Sequence, residues 1–579
     1  MSSDEETYVL VPSPSSDIIS LPTMSIVSSR TPTPPLLPSH LTIHDLGDRL
    51  LTRIFLVLAS IHRPFVEYRE HHEFGFVLAS HVCRGWRAIM LACPELWTRD
   101  VFTFPNEHAM LTILERAQDL PLEVNLTFDY QRTAARSSSL CFNLLPRIRT
   151  LRLRPMDYGI SRVGFHDLLI SMIAQGSPIL ESLEVNQGGL RAEDRTLNLE
   201  FFAPNLRFLR LNGIFFPCLS ATLSTIQLKL ARAYSESDDV FDALRGSPDT
   251  LEHVLFDVVP DRHLAHPGHY VSAFRQDIYL PSAKLVAFRG YDTELLKSLQ
   301  VPPDTFFCIS LSAPLGRVAD AMDDISWTRV RAVLSLGWPC TLSLDAAQEP
   351  VRLSLLSLPL DDQARHDQAL AVATHSLELA HGLYECMSYG SDLPDQTIHP
   401  GLVVEWHGQF ASAAEEQSGG EKLHTLLELV RYATENSEDD LFQPIRCLDI
   451  CIPEDLLPAE WVYLLKGYGA VETLRMHIAS IELLQALTTQ TRTVLPNLTA
   501  LAVVLDNVPV DNTTDVHEYQ RIRGLMKTLE RLVVERLEAG RDSGIELVRL
   551  EGKSDSMCFA ETVRERLSIY VPQVEVVLY

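Results

Sequence analysis

One short pattern of apolar residues, apolar-x-x-apolar-x-apolar, recurs along the chain after residue 104. Its last two apolar positions flank a single residue, as in a strand that buries one face. In the first part of this region it occurs at Ile148/Leu151/Leu153, Leu180/Leu183/Val185, Leu206/Leu209/Leu211, Leu223/Ile226/Leu228, Leu251/Val254/Phe256 and Ala283/Val286/Phe288. In the second part it occurs at Ile445/Leu448/Ile450, Val471/Leu474/Met476, Leu498/Leu501/Val503 and Ile545/Val548/Leu550. The pattern predicts a short strand at each position.

Turn signals and helical patterns separate these predicted strands. Proline stands shortly before several triplets, as in Leu145-Pro146, Ser177-Pro178 and Leu495-Pro496, and residues 161–175 and 481–490 have helical periodicity. One strand and one helix in a noisy unit of about 26 residues resembles a degenerate leucine-rich repeat, which implies an α/β solenoid over 104–579. The alternative is an ordinary α/β domain with parallel strands.

Residues 289–440 are the least regular part of this predicted domain. Two triplets there, Phe306/Ile309/Leu311 and Pro339/Leu342/Leu344, fit the strand pattern. Residues 345–440 read mainly as helices with an acidic loop at Ser437-Glu438-Asp439-Asp440. We expect the repeats to be interrupted in this region.

The residue between the last two apolar positions of each triplet points away from the core, because side chains alternate along a strand. In a solenoid these residues would line the concave face and could contact a protein or peptide partner. They could equally be solvated strand positions with no ligand. The predicted target-binding residues are Arg152, Glu184, Arg210, Gln227, Asp449, Arg475 and Arg549.

Upstream of the strands, residues 41–103 have the pattern of two amphipathic helices. A helix over about 48–59 has two apolar rows. A second is predicted over about 76–92 and is ended by Pro94. The first helix carries Leu46, Leu50 and Ile54 in one row and Leu51, Phe55 and Leu58 in the other, and the second carries Leu78, Val82, Trp86, Ile89 and Cys93. Roughly 60 residues bury too little surface to be stable alone, so either a partner or the rest of the chain should cover the spare apolar face.

Together these residues resemble an F-box. The first helix of that family carries a Leu-Leu-x-x-Ile-Phe run, and the last reads Val-Cys-Arg-x-Trp-Arg before Pro-x-Leu-Trp. The matching residues are Leu46, Leu50, Leu51, Ile54, Phe55, Val82, Cys83, Arg84, Trp86, Arg87, Pro94, Leu96 and Trp97. The Pro-x-Leu-Trp ending is most similar to the large F-box families of mushroom-forming fungi (basidiomycetes). The expected fold class is therefore α+β, a small all-helical F-box followed by the α/β repeat domain.

The resemblance implies the substrate-receptor subunit of a cullin-RING ubiquitin ligase. The F-box would dock a Skp-type adaptor, and through it a cullin scaffold, while the repeat domain held an unknown protein target for ubiquitination. The residues carried over to the adaptor contact or its supporting core are Leu46, Leu50, Leu51, Ile54, Phe55, Val82 and Trp86.

The chain departs from the family pattern at two places. The first helix of the family opens with Leu-Pro, whereas this chain has Leu46-Gly47. Residues 60–75 also lengthen the link between the helices. These departures keep open an alternative function, a non-catalytic repeat scaffold whose vestigial F-box no longer binds the adaptor and only caps the repeats.

Composition and charge narrow the other function classes. The net charge is −27, so nucleic-acid binding, which needs a basic surface, is not expected, and a basic target is weakly favoured. The ten cysteines contain no CxxC pair, which favours a reduced compartment. No apolar run reaches the roughly 18 residues of a membrane helix, and the acidic N-terminus is unlike a signal peptide. We expect a cytoplasmic or nuclear protein that does not bind membranes, with a disordered Ser/Thr/Pro-rich tail over 1–40.

Catalytic and metal motifs give no positive signal. Gly552-Lys553-Ser554 resembles the end of a phosphate-binding loop, but the required glycine five residues earlier is Leu547. The adjacent His71 and His72 point in different directions, so solvated loop histidines are expected there rather than a metal site. The sequence therefore predicts no catalytic residues, no cofactor and no metal.

Overall fold

The computed structural model describes a large part of the chain in separate segments. These are residues 43, 46–66, 72–99, 101–104, 106–128, 133–155, 162–187, 200–231, 243–259, 277–290, 299–311, 340–345, 351–357, 401–406, 444–451, 457–477, 481–490, 493–504, 516–539, 544–552 and 557–578. The predicted tail over 1–40 and the acidic loop at 437–440 lie outside these residues.

The N-terminal segment is a small helical module. Its helices are α1 (Asp48–Ile61), a 3-10 helix (Gly75–His81), α2 (Arg84–Leu91), a second 3-10 helix (Pro94–Trp97) and α3 (Glu107–Ala117). The antiparallel strands β1 (Phe65–Val66) and β2 (His72–Glu73) lie between α1 and the first 3-10 helix.

The helix predicted over 76–92 is broken in two. Cys83 has an extended backbone, φ −155° and ψ 168°, and its Sγ accepts a hydrogen bond from the Trp86 backbone N–H at 3.4 Å. The residue therefore acts as an N-cap and starts α2 afresh. Gly75 begins the preceding 3-10 helix at φ +51°, where a Cβ would lie 2.4 Å from the carbonyl oxygen of His62. Only glycine permits this close return of the chain onto the end of α1.

The remainder is built on one large sheet, which contains 16 strands within the described residues. Neighbouring strands are parallel except at one insertion. In spatial order from one edge, the first eight are β3 (Leu122–Phe128), β4 (Ile148–Pro155), β5 (Ser182–Asn186), β7 (Phe208–Asn212), β9 (Thr225–Ala231), β10 (His253–Val259), β12 (Leu285–Gly290) and β14 (Phe306–Leu311). The next three are β17 (Gly401–Trp406), β16 (Val351–Ser357) and β15 (Cys340–Asp345). The last five are β18 (Ile445–Cys451), β19 (Thr473–His477), β20 (Ala500–Val504), β21 (Leu547–Gly552) and β22 (Gln573–Leu578).

Among the described residues, helices lie in connections near both ends of the sheet, and two short parallel strand pairs lie in connections nearer its middle. The helices are α4 (Thr133–Leu144), α5 (Arg162–Gln175), α6 (Pro458–Leu465), α7 (Ile481–Thr489), α8 (Val516–Ala539) and α9 (Met557–Leu567). The short parallel pairs are β6 (Phe201–Phe202) with β8 (Cys218–Leu219), and β11 (Ile278–Tyr279) with β13 (Leu299–Gln300). No helix among the described residues is long and apolar enough to cross a membrane.

All ten apolar triplets predicted as strands contribute to strands of this sheet or to the turns that enter them. Their side chains are buried, and they join one apolar cluster that extends from Leu51 to Val571. Within 345–440, which we predicted to be mainly helical, the described residues are in strands, the end of β15 and all of β16 and β17, and the rest of the range lies outside the described residues. β16 is antiparallel to both β15 and β17, while β17 is parallel to β14, and the antiparallel pairing is not encoded in the parallel-repeat spacing used for the prediction.

Polar side chains tie the turn before one strand to the turn before its neighbour. A hydroxyl or amide group of the later turn donates a hydrogen bond to a backbone carbonyl of the earlier turn. That carbonyl thereby gains a hydrogen-bond partner in place of water. The bonds are Asn205 to Pro178 at 2.6 Å, Thr250 to Leu223 at 2.9 Å, Ser282 to Asp249 at 2.6 Å, Thr305 to Ala283 at 2.7 Å and Asn497 to Gly469 at 2.9 Å. Each of these bonds therefore fixes the position of one turn relative to the turn of the neighbouring strand.

Candidate functional site

The first candidate surface is an exposed apolar face on the N-terminal module. Leu50, Ile54, Val57 and Ile61 are 52, 42, 58 and 68% exposed, and their spacing of four, seven and eleven residues places them on one side of α1. Leu78 and Val82 are also exposed, on the segments that pack beside α1. We call these six residues the apolar strip. Among the described residues, nine of the nineteen exposed large apolar side chains lie between residues 43 and 91.

The opposite side of α1 supplies the core of the module. Leu51, Phe55 and Ala59 are buried, and the Phe55 ring meets the half-buried Trp86 ring edge-on with 5.2 Å between centroids. Such a contact adds about 0.5–1.5 kcal/mol to the burial of the rings. The two apolar rows predicted for this helix therefore have different surroundings, one packed and one facing solvent.

The predicted adaptor residues divide accordingly. Leu50, Ile54 and Val82 are exposed and could contact a partner directly. Leu51 and Phe55 are buried, while Leu46 and Trp86 are half-buried and pack against the same core. Val57, Ile61 and Leu78 were not singled out as adaptor residues from the sequence, although continuing the row of Leu50 and Ile54 along the helix would have found Val57 and Ile61.

Gly47, where the chain departs from the family pattern, stands at the N-cap of α1. Its φ of −66° is the angle that proline fixes, and a Cβ placed there would have nothing within 4 Å. The backbone at this position therefore has the φ angle that a proline would impose.

Trp97 packs the parts of the module together. The indole N–H donates to the Met90 carbonyl at 3.0 Å, the Phe76 ring lies 5.9 Å away between centroids, and the Arg116 guanidinium lies 4.5 Å over the indole. One residue further, the Thr98 carbonyl accepts a hydrogen bond from the backbone N–H of Glu123 in β3 at 3.0 Å. The module is thus hydrogen-bonded to the first strand of the sheet directly after Trp97.

The second candidate surface is the sheet face that points away from the apolar cluster. The seven residues predicted to bind a target share one row of the strand register. Arg152, Glu184, Arg210 and Gln227 are direct neighbours on β4, β5, β7 and β9. Asp449 and Arg475 are neighbours on β18 and β19, and Arg549 follows two strands later.

Most of these seven side chains are shielded from solvent, whereas a simple concave binding surface would leave them exposed. Glu184, Arg210, Gln227 and Asp449 are buried. Arg210 donates to Gln227 at 2.8 Å, and Arg475 pairs with Asp449 at 3.4 Å and with Glu551 at 2.9 Å. Arg549 pairs with Glu575 at 2.7 Å. The sequence could not reveal these partners, since they lie on other strands.

Three consecutive residues of the same row are apolar, before the row continues across β17, β16 and β15 to Asp449. Leu255, Ala287 and Cys308, on β10, β12 and β14, are fully buried. The face is therefore divided into one polar region on β4–β10 and another on β18–β22.

Several buried or half-buried cysteine, histidine and carboxylate side chains lie in or beside the sheet. The described residues contain no group of histidine, cysteine and carboxylate side chains arranged to hold a metal ion. Burial raises the pKa of the Cys141 and Cys218 thiols to about 12, so both are protonated at neutral pH and unreactive as nucleophiles. Burial also lowers the pKa of His253 and raises that of Asp257, which are four residues apart on the same face of β10.

The geometry consists of two binding surfaces, the apolar strip and the polar sheet face. No protein-family model and no curated protein matches this chain.

Proposed function

We propose that residues 41–103 are an F-box that docks a Skp-type adaptor, and that the protein is a substrate receptor of a cullin-RING ubiquitin ligase. The sheet then serves as a leucine-rich-repeat-like solenoid that holds the target. The protein performs no chemistry itself and supplies proximity between the target and the conjugating enzyme.

The observation that carries the proposal is the apolar strip. Soluble proteins rarely leave contiguous apolar patches of this kind in water, and an exposed patch of large aliphatic side chains marks a binding surface. Leu50, Ile54 and Val82 of the strip belong to the motif that the family uses at its adaptor contact, while Leu51 and Phe55 of the same motif pack underneath. The motif and the exposure thus support the same surface.

The order of the strands supports the solenoid part of the proposal. From β3 to β14 and from β18 to β22, each strand of the sheet lies beside the one that precedes it in the sheet's chain order, and the pairing is parallel. Stacked repeats have this neighbour-to-neighbour arrangement. Hydrogen bonds link successive turns as well, with the donor 22 to 33 residues after the acceptor.

The test is a binding measurement between the purified full chain and a Skp-type adaptor, with wild type compared with Ile54→Asp. We expect wild type to bind and the variant to lose at least about tenfold in affinity, because a carboxylate would be desolvated in an apolar interface. Leu537→Asp is a matched control, since Leu537 is 53% exposed on α8, outside the module. It should bind as wild type does.

Ile54 is a better site for this substitution than Leu51. Leu51 is 4% exposed, so an aspartate there would disrupt the module core and lower binding for a trivial reason. Circular dichroism and thermal unfolding should show Ile54→Asp to be folded. Equal adaptor binding by folded wild type and Ile54→Asp would contradict the proposed contact, and absence of binding by wild type would favour the scaffold with a vestigial F-box.

A further inference from the structure

The polar region on β4–β10 is cationic, although the whole chain carries a net charge of −27. Its centre is Glu184, whose carboxylate is shared by three arginines. Arg154 lies 2.9 Å from one carboxylate oxygen, and Arg152 and Arg210 lie 3.5 and 3.7 Å from the other. Arg152 and Arg154 alone outnumber this buried carboxylate, which leaves an excess of positive charge among the described residues.

The excess continues across the neighbouring strands. Lys229 pairs with Asp257 at 3.4 Å, and Arg289 lies beside Asp257 in the strand register. On this face of the described residues of β4–β12, the five cationic side chains are Arg152, Arg154, Arg210, Lys229 and Arg289, and the two carboxylates are Glu184 and Asp257.

The other polar region has the opposite balance. On β18–β22, Arg475 and Arg549 meet three carboxylates, those of Asp449, Glu551 and Glu575. The guanidinium groups are matched there by partners within the sheet, as expected of a purely structural network. The same explanation does not account for β4–β9, where guanidinium groups outnumber carboxylates.

We propose that the cationic patch formed by Arg152, Arg154, Arg210 and Lys229 binds a peptide segment rich in aspartate and glutamate. Carboxylates of the ligand supply negative charge that the described residues of this face do not balance, and Arg152, Arg154 and Lys229 are accessible to the ligand, at 35, 43 and 27% side-chain exposure. Guanidinium groups suit this role because each presents a fork of donors to a carboxylate.

The dimensions of the patch fit a short extended segment. Arg154 on β4 and Lys229 on β9 are separated by two intervening strands, so they lie about 14 Å apart at the usual strand spacing. An extended peptide covers that distance with about four residues. Asn186 and Asn212 occupy the intermediate positions of the same register row, and their amides can hydrogen-bond to the ligand.

The inference rests on the proposed function only in calling the ligand a ubiquitination target. The charge of this patch favours an acidic target, whereas the net charge of the whole chain favoured a basic one. Peptide binding is measured without the adaptor, so the two proposals can fail separately. The probe is a fluorescein-labelled peptide of alternating glutamate and serine, titrated with the full chain in a fluorescence anisotropy assay. A peptide with glutamine in place of glutamate is the neutral reference.

We expect the glutamate peptide to bind more tightly than the glutamine peptide, and its binding to weaken as the ionic strength rises. The double variant Arg152→Gln/Arg154→Gln should bind about tenfold more weakly, and Lys229→Gln should bind a few-fold more weakly. Arg564→Gln, a half-exposed arginine on α9 that pairs with Glu561, is the control and should bind as wild type does. Adaptor binding should be unchanged in all of these variants.

Equal affinity for the two peptides, or wild-type affinity in the folded double variant, would overturn the proposal. A third result would also overturn it. If the glutamate peptide bound only after Glu438→Gln, Asp439→Asn and Asp440→Asn were introduced together, the occupant of the patch would be the acidic segment of this chain and not a separate ligand.

Discussion

At the scale of single residues, Asp257 shows how burial and charge compete on the sheet face. The side chain is 5% exposed on β10, with the Lys229 ammonium 3.4 Å away. Burial raises the pKa of this carboxyl, and the opposing effects of Lys229 and Arg289 do not cancel the rise. The ionised form is therefore less favourable in the folded chain than in the unfolded chain.

Because of this raised pKa, the free energy of unfolding of the wild type should fall as the pH rises, and Asp257→Asn should remove that fall. Below about pH 4 the carboxyl is protonated in both states and contributes no pH dependence. As the pH rises, the unfolded chain ionises first, so the wild type loses stability until the folded pKa is passed. The unfolding free energy of the variant relative to wild type should therefore increase between about pH 4 and neutral pH.

Urea denaturation at several pH values measures this difference directly. A difference that decreases toward neutral pH would mean that the Lys229 ion pair outweighs the burial of the carboxyl. Lys284→Gln, which removes an exposed cation paired with Glu252, serves as a control for general changes in surface charge.

At the scale of elements, the packing of the N-terminal module depends on Trp97. This side chain is buried, bonded to the Met90 carbonyl and in contact with Phe76 and Arg116. It lies in the short 3-10 helix that ends just before the hydrogen bond to β3. One side chain therefore holds together the first 3-10 helix, the end of α2 and α3.

Trp97→Ala should destabilise the protein by about 3–5 kcal/mol, the usual cost of deleting a large aromatic side chain from a core. Arg116→Gln removes only the cation over the indole and should cost about 0.5–1 kcal/mol. Urea denaturation followed by circular dichroism measures both. Equally small decreases in the unfolding free energy of the two variants would indicate that the Trp97 indole contributes little to the packing of the module.

Elements with a strong local pattern were predictable from the sequence. The first helix was predicted over 48–59 and forms at Asp48–Ile61, and the ten apolar triplets lie in or enter strands. β3 was not predicted, although Leu122, Val124 and Leu126 alternate with polar residues as a strand requires. The break at Cys83 could not be foreseen, because it depends on one extended backbone conformation inside an otherwise helical pattern.

The candidate surfaces were predictable only in part. The row of seven residues follows from side-chain alternation, and the structure has them in one register row. Their ion pairs do not follow, because Arg475 meets Glu551 and Arg210 meets Glu184 only after the strands are aligned. In the same way, two apolar rows on α1 were evident in the sequence, but which row faces solvent depends on what packs against the helix.

At the scale of the whole molecule, the two ends of the large sheet differ. The backbone of β3 is hydrogen-bonded to the N-terminal module, from the Glu123 N–H to the Thr98 carbonyl. β22 pairs with β21 alone among the described residues, and its described side chains are partly or fully exposed. Edge strands of this kind open more readily than central ones.

Backbone amides of β22 should therefore exchange with solvent at least about tenfold faster than those of β20. β20 has bonded neighbours on both sides, and its residues Ala500–Val504 are all buried. Hydrogen exchange measured by mass spectrometry on peptic fragments resolves the two strands. Equal protection would indicate that the edge of β22 is covered, for instance by self-association, which a dilution series would detect.

β15, β16 and β17, which lie between the two parallel regions of the sheet, affect the biosynthesis of the chain as well as its fold. The strand that pairs with the outer side of β14 is β17, and it begins at Gly401, while β14 ends at Leu311. At translation rates of 5–20 residues per second, roughly 4 to 18 s separate the synthesis of the two strands. Throughout that interval the growing polypeptide presents an unfinished strand edge to neighbouring nascent chains. We expect this stage of biosynthesis to be the point at which chaperones matter most and at which misassembly between ribosomes is most frequent.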